Sequence, residues 1–173
     1  MADSRSGEIE WYSPDPRAII PLDSFNVPRS LNQVVRKGIY DIRFDREFER
    51  VIRSCGERKE TWISEEIVQS YCSLHRMGYA HSVETWKDNS LAGGLYGVSL
   101  GGAFFGESMF SISRDASKVA LVALVDRLNS KKFQLLDTQF ITPHLARFGA
   151  VEISREEYVN LLRAAIEHQC SFY

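Results

Sequence analysis

Asp137 and Gln139 are the pair of side chains best suited to handling an amine nucleophile. They lie two positions apart at the end of a strand-like apolar run, residues 133–138. Alternate residues of a strand share a face, so Asp137 can orient Gln139, whose carbonyl can accept a hydrogen bond from an attacking amine. The spacing alone favours a different interpretation, in which Asp137 starts a turn and Gln139 is a satisfied polar residue at a strand end.

Glu107 is a third candidate because of its apolar neighbours. It stands within Phe-Phe-Gly-Glu-Ser-Met-Phe, residues 104–110, where an unpaired carboxylate is costly to bury. His81 and Ser82 form a nucleophile pair only superficially, because adjacent residues of a strand point to opposite faces. The sequence therefore favours carboxylate and amide groups over a serine–histidine mechanism.

The order of helices and strands indicates how these residues are positioned. Three strand-like runs with short spacers, residues 79–86, 91–100 and 103–110, predict an antiparallel meander. A helix capped by Asp115 or Ser117 follows and is apolar around most of its circumference, which predicts that it is buried. Meander, buried helix, strand and final helix are the order of an α+β, GNAT-like acyltransferase fold, with an antiparallel or mixed sheet flanked by helices.

Turn and cap signals place the remaining elements. Three prolines within residues 11–27 predict an extended segment laid over the body of the protein. Asp45, Ser64 and Ser154 are the predicted helix caps, the last with Glu157 in a capping box. The other predictions are helices over 28–37, 65–77 and 154–168, a helix after Asp45, a helical turn over 143–147, and strands over 39–44 and 151–153.

Length and composition limit the classes of protein. The 173 residues, 44% of them hydrophobic and 25% charged, fit a single folded domain over residues 11–173 after a disordered N-terminus, residues 1–10. Three cysteines without a CxxC pair predict neither a disulfide framework nor a zinc site. Without a signal peptide or an apolar stretch long enough to span a bilayer, we expect a cytoplasmic protein with no membrane contact.

The charge distribution restricts any contact with nucleic acid to a local surface. The net charge of -2 gives no global attraction for phosphate backbones. Residues 36–59 are the exception, with eight basic against five acidic side chains, a local net charge of +3. A solvated helix face is the default interpretation of such a mixed run, and it is also the best candidate for an RNA-backbone contact.

Seven short motifs in this order resemble the bacterial leucyl/phenylalanyl-tRNA-protein transferases. They are Trp-Tyr-Ser-Pro-Asp-Pro-Arg (11–17), Thr-Trp-Ile (61–63), Gly-Tyr-Ala-His-Ser-Val-Glu (78–84), Gly-Gly-Leu-Tyr-Gly-Val (93–98), Gly-Glu-Ser-Met-Phe-Ser (106–111), Ala-Ser-Lys (116–118) and Asp-x-Gln (137–139). The resemblance runs from residue 11 to about residue 162. Ten residues precede the first motif here, whereas family members usually carry several dozen, so the resemblance is to a short form.

The resemblance implies transfer of leucine, phenylalanine or less often methionine from aminoacyl-tRNA to the N-terminal amine of a protein beginning with Arg or Lys. It gives Asp137 and Gln139 a role as relay or positioning pair, and it makes Glu107 the binder of the amino acid's ammonium group. Trp62 resembles the residue that stacks on the terminal adenosine of tRNA, although a hydrophobic staple explains it equally well. The positions that resemble the pocket for the transferred side chain are Leu95, Phe104, Met109, Leu121 and Leu124.

The remaining predictions concern the cofactors, the role of Ser117 and the alternative functions. An aminoacyl ester is already activated, so we expect no metal and no cofactor other than aminoacyl-tRNA as co-substrate. Ser117 can meet a phosphate or carbonyl oxygen at the start of the buried helix, or simply cap it. An acyl-CoA-dependent N-acetyltransferase is disfavoured because residues 114–119 replace the glycine positions of a pyrophosphate-binding loop by larger residues. An enzyme acting on a peptide or small-molecule amine and a noncatalytic binding module remain as alternatives.

Overall fold

Seven strands form one mixed sheet in the computed structural model, which describes residues 13–58 and 61–173. The strands are β1 (Arg17–Ile20), β2 (Asp41–Phe44), β3 (Ala80–Lys87), β4 (Ser90–Leu100), β5 (Ala103–Ser111), β6 (Leu135–Gln139) and β7 (Val151–Ile153). Their order across the sheet is β2-β3-β4-β5-β6-β1-β7. Only β5 and β6 run parallel, and the other neighbours are antiparallel.

Within residues 13–58 and 61–173, six helices flank this sheet on both faces. They are α1 (Arg29–Arg36), α2 (Phe48–Gly56), α3 (Glu65–Arg76), α4 (Ala116–Ser130), α5 (Pro143–Ala146) and α6 (Arg155–Glu167). On β4, Leu95 packs into the cluster around α4, whereas its neighbour Tyr96 packs with α2 and α3. Helix α6 packs against β5 and β6 on the same face of the sheet as α2 and α3. Its Tyr158 clusters with Ile19 and Leu135, whereas the next residues of those strands, Ile20 and Leu136, face the α4 cluster on the other side.

The predicted α+β class, with a mixed sheet flanked by helices, is confirmed, and the meander and buried α4 lie where the sequence indicates. The prediction for residues 11–27 was wrong in one respect. Arg17–Ile20 is an interior strand, because its backbone hydrogen bonds pair it with β6 on one side and with β7 on the other. The predicted disordered N-terminus, residues 1–10, lies outside the described residues. Within the described ranges, no helix has the length and apolarity needed to cross a bilayer.

One of the predicted helix caps, Asp45, was wrong. Asp45 precedes α2, but it has a φ of 55° and its carboxylate accepts from the backbone N–H of Ser82. Glu84 Oε1 accepts from the backbone N–H groups of Arg46 and Glu47, the two residues that directly precede α2. Of the two caps predicted for α4, Asp115 is the N-cap residue, although its side chain makes no capping hydrogen bond, and Ser117 lies inside the first turn. The caps at Ser64 and Ser154 are confirmed by hydrogen bonds from the third residue beyond each.

At the candidate site, strand β5 carries a bulge and loses its pairing with β6. Strands β5 and β6 are paired only from Ala103 to Phe105 on the β5 side, and beyond Phe105 the pairing ends. The β4–β5 register then shifts so that Glu107 is an extra residue opposite Tyr96 and Gly97. A Cβ at Gly97 would lie 2.3 Å from the Phe105 carbonyl oxygen, so glycine is required for this close approach.

Candidate active site

Asp137 lies at the point where β5 and β6 diverge, and it is fully buried. Its Oδ2 accepts from Arg17 Nη2 at 2.6 Å and from the Tyr158 hydroxyl at 2.7 Å. Arg17 Nε lies 3.2 Å from both carboxylate oxygens. Asp137 is therefore an anionic acceptor that is paired with a cation and hydrogen-bonded from two neighbouring elements, β1 and α6.

Gln139 is tied to Asp137 through its backbone. Its N–H donates to Asp137 Oδ1 at 2.8 Å, so Asp137 does begin a turn, as its spacing suggested. Gln139 has a φ of 60°, and the N–H of Phe140 donates to the Thr138 carbonyl at 2.7 Å across it. This is a γ-turn of the rare positive-φ form, which is strained for a residue with a Cβ. Because Gln139 lies in this turn, the alternation of side chains along a strand does not give the relative directions of the Asp137 and Gln139 side chains.

Glu107 lies on the bulge of β5, partly buried between β5 and α3. Burial is the main cause that raises the pKa of its carboxyl group to about 7, and the negative charge of Asp137 raises it further. The neighbouring Tyr71 hydroxyl and the Arg17 guanidinium act in the opposite direction. A carboxylate in this state gains from a bound cation, because a positive charge would offset the cost of ionising it.

The polar groups share one side of the sheet. Tyr71 projects from α3 and Tyr158 from α6, and these helices lie on the same face. Burial and the charge of Glu107 raise the pKa of Tyr71, and burial together with the hydrogen bond to Asp137 raises that of Tyr158. Both phenols therefore stay protonated as donors near neutral pH. The arrangement can hold an ammonium group at Glu107 and orient a polar group at the Gln139 turn.

The five predicted pocket residues are brought together in one cluster on the α4 side of the sheet. Leu95, Phe104, Leu121 and Leu124 are buried, with at most 3% of each residue exposed. Met109 is partly buried at the edge of this cluster. Met109 lies opposite Leu95 and on the same face as Phe104 because the extra residue in the bulge shifts the alternation.

The remaining predicted binding residues, Trp62 and Ser117, lie in different surroundings. Trp62 is partly buried against the core between α2 and α3, which fits the staple interpretation. Ser117 is buried in the first turn of α4, and its backbone N–H donates to Ser111 Oγ at 3.3 Å. In the basic segment, Arg43 pairs with Asp41, whereas Arg53 pairs with two glutamates of α2 and α3.

Sequence reasoning missed three residues of the site: Arg17, Tyr71 and Tyr158. Arg17 closes the first motif and could have been singled out on that ground. The tyrosines carry no signal of spacing, because α3 and α6 reach the site only through tertiary packing. Among the described residues, no cluster of three or more His, Cys, Asp or Glu side chains is arranged to hold a metal ion.

Comparison with the sequences of known proteins identifies the family of the chain. The family model described as leucyl/phenylalanyl-tRNA protein transferase matches residues 19–163, which include Glu107, Asp137 and Gln139. The chain belongs to this family. It is 59% identical over 167 residues to the leucyl/phenylalanyl-tRNA-protein transferase of Herpetosiphon aurantiacus, covering 96% of this chain and 87% of that protein. It is 53% identical over 172 residues to the one of Gloeobacter violaceus, covering 99% of this chain and 89% of that protein.

Solved structures show the fold at a greater distance. A crystal structure of a functionally unknown conserved protein from Staphylococcus epidermidis superimposes with a TM-score of 0.53 at 9% identity. The superposition covers 79% of this chain and 56% of that one. At such low identity the likeness concerns the arrangement of the sheet and helices, and the family assignment rests on the sequence matches.

Proposed function

We propose that this protein is an aminoacyltransferase that moves leucine, phenylalanine or less often methionine from charged tRNA to the N-terminal α-amine of an acceptor protein. The observation that carries the proposal is the grouping of Glu107, Asp137 and Gln139 where the pairing of β5 and β6 ends, in a chain of this family. We further propose that the acceptor begins with arginine or lysine, which marks the product for degradation, and that the protein acts in the cytoplasm.

The donor binds through its two ends. Glu107 accepts the ammonium group of the esterified amino acid, as its raised pKa favours a cationic partner. From Glu107 the amino acid side chain passes between β5 and β6, beyond the end of their pairing, to the α4 side of the sheet. There it lies beside Met109, at the partly buried edge of the apolar cluster that contains Leu95, Phe104, Leu121 and Leu124. The part of Trp62 that is not packed against the core between α2 and α3 stacks on the terminal adenosine.

The chemical step is a direct aminolysis without a covalent enzyme intermediate. The neutral α-amine of the acceptor attacks the ester carbonyl carbon, forming the C–N bond, while the C–O bond to the terminal ribose breaks. The amine loses one proton and the departing ribose oxygen gains one. The carbonyl oxygen of Gln139 accepts a hydrogen bond from the attacking amine and so orients the lone pair of the amine nitrogen. Asp137 holds Gln139 in its turn.

The arrangement supports a GNAT-like assignment of residues 11–173 as one catalytic domain. A bulged strand lies next to a parallel pair whose pairing ends early, with α4 connecting the two parallel strands, and this arrangement supports placing both substrates there. Because the ester is already activated, alignment of the reactants can supply about 7–11 kcal/mol of the barrier reduction. We therefore propose that the reaction needs aminoacyl-tRNA as co-substrate and no metal or separate cofactor.

The direct test is transfer of labelled phenylalanine or leucine from tRNA to an arginine-initiated peptide. We expect a peptide longer by one residue at its N-terminus, identified by mass spectrometry, and no product from the same peptide with an acetylated N-terminus. Labelling of only a small-molecule amine would change the acceptor to the biosynthetic alternative. Binding of charged tRNA without product from any amine would leave a noncatalytic module.

The pocket assignment has its own test in Met109→Trp. A tryptophan at the edge of the cluster should fill the space for a large side chain and lower phenylalanine transfer about tenfold or more, since losing a well-packed apolar contact costs 1–3 kcal/mol. Ile112→Trp is the matched control, because Ile112 is 72% exposed and follows the same strand. Equal phenylalanine transfer by both variants would contradict the assignment.

A further inference from the structure

We propose that Arg17 and Tyr158 are positioning residues for the transfer, which orient Asp137 so that its Oδ1 holds the strained turn at Gln139. The inference rests on the proposed function, and it assigns a task to two residues outside the predicted site. Neither needs to touch the substrate, because both act through the Asp137 carboxylate.

The contacts divide the two oxygens of Asp137 between two tasks. Oδ2 takes the closest contacts, from Arg17 Nη2 at 2.6 Å and the Tyr158 hydroxyl at 2.7 Å. Oδ1 takes the Gln139 N–H at 2.8 Å, and Arg17 Nε lies 3.2 Å from each oxygen. Bonds on Oδ2 therefore fix the direction in which Oδ1 points, as in a bidentate arginine–carboxylate pair.

The oxygen that faces Gln139 supports a conformation that the chain does not favour by itself. A positive φ at a residue with a Cβ costs of order 1–3 kcal/mol and persists only where its surroundings impose it. The local supports of this turn are the Phe140–Thr138 backbone bond and the bond from Gln139 N–H to Asp137. Loss of the second bond should let the turn relax and move Gln139 away from the site.

Arg17 and Tyr158 also brace each other. The Arg17 guanidinium lies 4.6 Å from the centre of the Tyr158 ring, at cation–π distance. Tyr158 is buried, and only 14% of the Arg17 side chain is exposed. The two residues come from β1 and α6, whereas Asp137 belongs to β6. Three elements are therefore joined around one carboxylate, with Glu107 as the other charged group nearby.

The alternative for Asp137 is a proton acceptor in the reaction. Its oxygens already accept from a cation, a phenol and a backbone N–H, so its lone pairs are directed into the protein. A group placed in this way is better suited to holding a turn than to receiving a proton from substrate. The distinction predicts that Arg17 and Tyr158 affect the rate of the bound complex more than the binding of the donor.

The test compares Tyr158→Phe with a matched variant, Tyr173→Phe. Tyr173 also donates its hydroxyl to an aspartate, Asp45, in another part of the fold. We expect kcat of Tyr158→Phe to fall about tenfold to a hundredfold, as for one lost hydrogen bond to a charged group, with KM for aminoacyl-tRNA unchanged. The control should keep its kcat. Hydrogen exchange of the Gln139 amide, followed by NMR, should become faster in Tyr158→Phe alone.

A second pair of variants separates positioning from simple loss of charge. Arg17→Lys keeps the cation and should retain more of the kcat than Arg17→Met, which removes it. An unchanged kcat and unchanged Gln139 exchange in Tyr158→Phe would overturn the inference. If the wild-type protein transfers nothing, the proposed function fails, whereas the exchange measurement still decides whether Tyr158 supports the Gln139 turn.

Discussion

Glu84 and Glu107 are both glutamates within strands of the same sheet, and they serve opposite purposes. Glu84 is fully buried and accepts from the backbone N–H groups of Arg46 and Glu47, at 2.9 and 2.8 Å. It also accepts from the Ser82 hydroxyl at 3.0 Å and from Trp86 Nε1 at 2.9 Å. Glu107 is less buried, yet the pKa of its carboxyl group is raised to about 7.

The difference lies in what the protein supplies to each carboxylate. Donors around Glu84 stabilise its charge and join β3 to the start of α2, so it is a structural group. Around Glu107 the burial cost is only partly offset by Tyr71 and Arg17, and Asp137 adds repulsion. Burial alone therefore does not mark a functional carboxylate; burial with incomplete compensation does.

The largest expected effect is on folding, from Glu84→Ala. This change leaves two backbone N–H groups and the Trp86 N–H without their acceptor, so the free energy of unfolding should fall by about 3–5 kcal/mol. Urea denaturation followed by fluorescence measures it. A loss below about 1 kcal/mol would mean that water replaces the carboxylate, and the contrast with Glu107 would break down.

Glu107→Gln should act on donor binding instead. We expect KM for aminoacyl-tRNA to rise about tenfold or more, because the ammonium group loses a charged acceptor. The free energy of unfolding should not fall, since the variant removes a carboxyl group whose ionisation is costly in the folded protein. Glu66→Gln, at an exposed glutamate of α3, is the control and should leave both quantities unchanged. A large loss of stability in Glu107→Gln would make Glu107 a structural residue like Glu84.

The pH dependence of stability sharpens the same contrast. The pKa of Glu107 is raised from 4.5 to about 7 in the folded protein, so below pH 4.5 both folded and unfolded chains carry the proton and no cost arises. Between pH 4.5 and about 7 the unfolded chain ionises while the folded one keeps its proton, so this residue lowers stability as pH rises. Above that window its cost is constant.

The measurement is the difference in unfolding free energy between the wild-type protein and Glu107→Gln, taken across pH 4 to pH 8. As pH rises from about 4.5 to about 7, the wild type should lose stability relative to Glu107→Gln, and above that range the difference should stay constant. Parallel curves for the two proteins would show that the carboxyl group titrates normally.

The smallest effect should come from Ser82→Ala. It removes one of several donors to Glu84, so the free energy of unfolding should fall by about 1 kcal/mol with unchanged kcat and KM. Parallel denaturation and transfer assays of this variant test whether the Glu84 network is separate from the site. A loss of transfer activity would connect the two regions.

Local patterns predicted most elements because each is specified by nearby residues. The meander has short turns and alternating apolar residues, and Ser64 and Ser154 carry the donor-accepting side chains that begin helices. The cap at Asp45 was wrong because its carboxylate bonds to His81 and Ser82 of β3, which are distant along the chain. Similarly, nothing local to Arg17–Ile20 indicates that two strands pair with it.

The sequence by itself determined the α+β class, the meander, the buried helix and the family, because periodicity, caps and colinear motifs are properties of the linear chain. It also singled out Glu107, Asp137 and Gln139 by type and setting. Only the tertiary structure decided that Arg17 and Tyr158 surround Asp137, that Gln139 sits in a strained turn, and that a bulge places Met109 beside Leu95. Those relations depend on the pairing register and on the packing of distant helices, and the energies that select them arise only when the whole sheet forms.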